Sequence, residues 1–70
     1  MNEKYKEVVL SGSVEVIYTI LRIYRRYDGE VVADCQMVTN NITPRGVVEN
    51  DCGISGGRPL SSLKKLERIN

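Results

Sequence analysis

The chain has no histidine, tryptophan or phenylalanine, and only two cysteines and two prolines in 70 residues. Without histidine there is no imidazole for acid–base work near neutral pH. No G-x-S-x-G, Walker-type or G-x-G-x-x-G element is present. Cys35 and Cys52 form neither a Cys-x-x-Cys pair nor a four-ligand set, so no metal is expected. The expectation is a protein with no catalytic residues, no metal and no cofactor, and so not an enzyme. No apolar run approaches the roughly 18 residues of a membrane helix, and Arg22, Arg25 and Arg26 interrupt the best candidate. A membrane role is therefore not expected. No secretory signal precedes the cysteines, which are expected to be buried and reduced in a cytoplasmic protein, with a Cys35–Cys52 bridge as the alternative.

Against these absences stands one long apolar stretch, Val14 to Tyr27. At about 100° per residue, Val14, Val16, Ile17, Tyr18, Ile20, Leu21, Ile23, Tyr24 and Tyr27 share one arc, with Glu15, Thr19, Arg22 and Arg26 opposite. As a strand, the same residues put Arg22 and Arg26 on the face of Val14 and Ile20. The spacing therefore predicts a helix, capped by Ser13 and closed at Asp28-Gly29. An apolar arc of roughly 220° would have to be surrounded by other elements or by a second copy. Leu21 falls at the centre of the expected core, and Tyr18, Tyr24 and Tyr27 are expected to fill it.

The flanks read as follows. Residues 1–12 form a polar tail and a Val8-Val9-Leu10 run, suited to a short strand or an arm. Glu30 to Asn41 fits a helix through Val31, Cys35, Val38 and Ile42, or a strand through Val31, Ala33, Cys35 and Met37. Helix is preferred because a strand there lacks an obvious neighbour. Thr43-Pro44 resembles a helix start with Gly53 as its stop. Ser55-Gly56-Gly57 is a flexible turn or, less simply, an anion nest ahead of a Pro59 helix lined by Leu60, Leu63, Leu66 and Ile69.

The expected fold is thus mainly α: one domain over 1–70, with an arm or strand at 1–12, a central helix at 13–28 and further helices over 30–69. A compact three- to four-helix arrangement follows, with a short N-terminal strand as an option. In 70 residues a core is small and dimerisation would help stability.

Charge is segregated. Residues 1–27 hold five Lys/Arg against three Asp/Glu, residues 28–57 one against five, and residues 58–70 four against one. This pattern suggests a basic face offered to a polyanion or an acidic block offered to a protein.

Asn41-Ile42-Thr43-Pro44-Arg45-Gly46-Val47-Val48 resembles the turn and recognition-helix start of small helix-turn-helix regulators of phage, plasmid or bacterial type. In a second register Cys52-Gly53-Ile54-Ser55 resembles that family's "G-I-S" turn, with Pro59–Ile69 as recognition helix. Both depart from the pattern: Glu49 and Asp51 would face phosphates in the first, and two extra glycines lengthen the turn in the second. The resemblance implies a homodimeric DNA-binding transcription regulator that places a helix in the major groove of double-stranded DNA. The first register offers Arg45. The second, richer in cations, puts Lys64, Lys65 and Arg68 on phosphates, with Arg58 and Ser61 nearer the bases. The alternative is a small non-enzymatic protein-binding module, an inhibitor or adaptor, acting through the acidic middle block or the apolar helix.

Overall fold

The computed structural model describes residues 2–70, with residues 47–50 described by their backbone alone. It overturns the helical expectation. The chain forms strands β1 (Lys4–Val9), β2 (Val14–Arg25), β3 (Val31–Thr43), β4 (Gly46–Pro59) and β5 (Glu67–Arg68). A 3-10 turn (Leu10–Gly12) follows β1, and a four-residue helix, α1 (Leu60–Leu63), follows β4. All neighbours are antiparallel, in the order β4-β3-β2-β1-β5. No helix-turn-helix is present among the described residues.

The stretch expected to be the central helix is β2, and its composition explains why. Eight of its 12 residues are β-branched or tyrosine, types that suit a pleated surface and lose rotamer freedom in a helix. Alternation sends Val14, Val16, Tyr18 and Ile20 to one face. A β-bulge between Ile20 and Arg22 then inserts Leu21 and resets the phase. Beyond it Ile23 pairs with Ala33, while Arg22 pairs with Asp34 on the opposite face. The arginines that spoil a regular alternation are thereby turned away from the core.

Two signals taken for helix ends are hairpin turns. Arg26 N–H donates to Glu30 O (2.8 Å) and Gly29 N–H to Arg26 O (2.9 Å), with Gly29 at φ +88°, so Asp28-Gly29 reverses β2 into β3. Thr43 and Gly46 pair across the next turn. There Thr43 Oγ1 donates to Gly46 O (2.8 Å) and accepts from Arg45 N–H (3.3 Å). Pro44 sits just inside that turn, where its fixed φ fits, and Gly46 takes φ +98°. The Glu30–Asn41 segment has its neighbours after all, β2 on one side and β4 on the other.

The main core cluster lies on one face of the sheet, while Val32, also fully buried, alternates to the other. Tyr5, Val16, Tyr18, Ile20, Ala33, Cys35 and Leu63 are buried together, and Val14, Met37, Leu60 and Leu66 pack around them. Leu60, Leu63 and Leu66 thus dock on the core, while Ile69 of the same repeat stays 44% exposed. Helix lasts only one turn, however, and the chain then extends at β5 to pair Glu67 with Lys6 and Arg68 with Tyr5. Leu21 is 48% exposed and Tyr27 fully exposed, so neither belongs to the core. Cys52 is exposed as well, and both thiols are free. Val38 is the partner of Cys52 and Ser55 the partner of Cys35, which puts the two cysteines on opposite faces and out of bonding reach.

Candidate functional site

The sequence-derived DNA-contact residues do not share a helix. Arg45 lies in the β3–β4 turn and Ser61 in α1; Lys64 and Lys65 follow α1, and Arg68 is on β5. Arg58 lies over the Tyr18 ring on the core face, 4.5 Å from its centroid, and donates from Nε to Ser55 Oγ (2.8 Å). Lys64 and Arg68 converge on Glu3, at 3.7 and 3.6 Å from its Oε1. That oxygen also accepts from the Tyr5 hydroxyl (2.6 Å). The Tyr5 hydrogen bond, helped by the two cations, holds the Glu3 carboxyl below its usual range.

The Ser55-Gly56-Gly57 segment is neither a flexible turn nor a nest for an external anion, but part of β4. Asp34 Oδ1 accepts from Gly57 N–H (3.0 Å) and the Tyr24 hydroxyl (3.0 Å), while Asp34 Oδ2 pairs with Arg22 (3.0 Å). Gly56 and Gly57 stand as a bulge opposite Asp34, since Cys35 pairs with Ser55 and Ala33 with Arg58. At Gly56 a Cβ would meet Asp34 Oδ1 at 3.4 Å, and Gly57 has φ +66°. The glycines thus bring the backbone up to a carboxylate of the same chain. The Gly57 amide, then Tyr24 and Arg22, hold the Asp34 carboxyl below its usual range.

Three surfaces remain available. A depression of about 120 Å³ is lined by Met37, Thr39, Asp51, Cys52 and Gly53, well below the roughly 300 Å³ at which small-molecule sites begin. No group of three potential metal ligands occurs among the described residues.

The second surface is the face of the sheet away from α1. The strand registers place Lys6, Ile17, Val38 and Cys52 in one row across this face. Lys4, Thr19, Gln36 and Ile54 form the next row, and Val8, Glu15 and Asn40 the row on the other side. Val8, Ile17, Val38 and Ile54 consequently run diagonally from β1 to β4. Val8 is 52% and Ile54 71% exposed, and no helix covers them.

The third surface is the outer edge of β4, 14 residues that face no further strand. The opposite margin is different, because β5 covers Tyr5 and Lys6 there. Along β4 the sequence offers Glu49 and Asp51 as charges, the glycine bulge at 56–57, and Pro59 at the end. Such features blunt an edge without closing it. Asp51 and Cys52 sit side by side in its middle and point to opposite faces.

Sequence reasoning missed both the open face and the edge. The face follows from strand parity once β2 is recognised as a strand, for which the β-branched composition of residues 14–24 was the signal; the edge follows from the sheet order. Among the described residues no helix is long and apolar enough to cross a membrane. No protein-family model matches the chain, and no curated protein or solved structure matches it either.

Proposed function

We propose that this is a small non-enzymatic protein-binding module, an inhibitor or adaptor of the cytoplasm, that receives an extended segment of a partner protein along the β4 edge. The observation behind this reading is that edge: a long strand at the end of the sheet order, with no further strand paired to it among the described residues. Main-chain hydrogen bonds would supply affinity by strand addition, and alternate side chains the specificity. Of the acidic middle block, Asp34, Glu49 and Asp51 lie in the β3–β4 hairpin, so a partner segment carrying lysine or arginine is favoured. A helix placed in the major groove is set aside, because α1 spans four residues and buries Leu63.

Photo-crosslinking tests the edge. One probe is attached at Cys52 and a second at position 51, in an Asp51→Cys, Cys52→Ser chain. A strand laid along the edge is flanked by both positions, so both should trap the same host protein, with competition by unlabelled chain. Trapping from position 52 alone would place the partner on the open face and end the edge reading. Titration of duplex DNA at low salt, repeated at high salt, is the parallel measurement: steeply salt-sensitive binding would redirect the assignment to nucleic acid.

A further inference from the structure

The diagonal of Val8, Ile17, Val38 and Ile54 has different chemistry on its two sides. Lys4 and Lys6 lie on one flank, Glu15 and Asn40 on the other. From these positions we infer that the open face docks on a second copy of this chain, about a two-fold axis lying along the diagonal. An isologous contact requires a patch that complements itself, and this one does. Rotation about the diagonal lays the apolar stripe on itself, Val8 against Val8 and Ile54 against Ile54. It also brings the Lys6 flank of each protomer over the Glu15 flank of its partner. Lys6 already touches Glu67 at the margin, at 3.1 Å. An ammonium group has three donors, so it can meet a second carboxylate.

The geometry agrees with known sheet packing. Strands are spaced about 4.8 Å apart and same-face residues about 6.8 Å along a strand, so the diagonal runs at roughly 45° to the strands. Two sheets related by an axis along it cross at roughly 90°, the orthogonal class of face-to-face packing. The footprint, on the order of 15 by 15 Å, is small beside a standard interface of about 800 Å² per partner, so the dimer is concentration-dependent. The contact uses side chains of the open face, Ile54 of β4 among them, and leaves the outer backbone groups of β4 open in both protomers.

Sedimentation velocity on the full chain tests this. At high micromolar concentration the wild type should sediment at twice 7.9 kDa. Val8→Asp and Ile54→Asp, both at exposed positions, should each return the species to 7.9 kDa with unchanged circular dichroism and melting. Lys6→Glu and Glu15→Lys should each weaken the dimer. An equimolar mixture of those two should recover it, because each flank then meets the opposite charge. A wild type that stays monomeric at high concentration would overturn the proposal. So would a dimer indifferent to both Val8→Asp and Ile54→Asp, or single charge variants that do not complement each other. Since Lys6→Glu also breaks the contact to Glu67, the aspartate variants are measured independently of the charge pair.

Discussion

At the scale of single residues, the clearest liability is Leu10, which combines a φ of +51° with 73% exposure at the tip of the β1–β2 turn. A side chain with a Cβ is strained in the left-handed region, while Asn tolerates it. Leu10→Asn should therefore raise stability by about 0.5–1 kcal/mol, read as a higher denaturant midpoint with unchanged slope. The cysteines separate as cleanly. A thiol reagent added to the folded protein should modify Cys52 at once and Cys35 only after unfolding, since Cys35 is fully buried. Burial also raises the Cys35 thiol above its ordinary range. Leu21, placed at the centre of the core by helical spacing, is half exposed. Leu21→Ala should cost well under the 2–5 kcal/mol of a core truncation, whereas Leu63→Ala should fall within that range. Thermal melts of the two variants check the order.

At the scale of elements, the chain was legible in part. Asp28-Gly29 and Thr43-Pro44 mark reversals in either reading, because glycine at positive φ and proline at fixed φ serve helix ends and hairpins alike. What they could not indicate was the type of element between them. The wide apolar arc of residues 14–27 satisfies a helix on paper, yet its β-branched and tyrosine content favours a pleated surface. A strand with neighbours on both sides uses the same residues, and a single bulge removes the misplaced arginines. The contact residues suggested by the helix-turn-helix resemblance depended on that element type, so the surfaces they imply changed with it. The leucine spacing of residues 60–66 was informative about burial and uninformative about length, since one turn presents Leu60 and Leu63 as well as a long helix would.

At the scale of the molecule, pH response follows from the carboxylates that join separate segments. Glu3 ties the N terminus to the residues after α1, and Asp34 ties β2 to the β4 bulge. Both have folded pKa values below their ordinary ones, as does Asp28 through Arg26. The unfolded chain therefore binds protons first as pH falls. Stability from these groups is present above about pH 4 and is lost below it. At the alkaline end Tyr18, raised by burial and by its bond to Glu7, works in the opposite sense: the unfolded phenol ionises first, so stability declines above about pH 10. Denaturant titrations across pH should trace that dome, and Asp34→Asn should flatten its acid limb. Position 51 faces away from the dimer surface, so Glu15→Lys should weaken self-association while leaving crosslinking from position 51 unchanged.

The bulge in β2 has a consequence for the chain's tolerance of length change. Ile20 is paired with Cys35 and Arg22 with Asp34, so Leu21 has no cross-strand partner of its own. Its excision would leave each remaining residue of β2 beside the neighbour it already has and on the face it already occupies. A one-residue deletion in the middle of a central strand ordinarily transposes inside and outside. Here it would only straighten the ribbon, and the 69-residue product should keep the wild-type strand pairings in an amide exchange map.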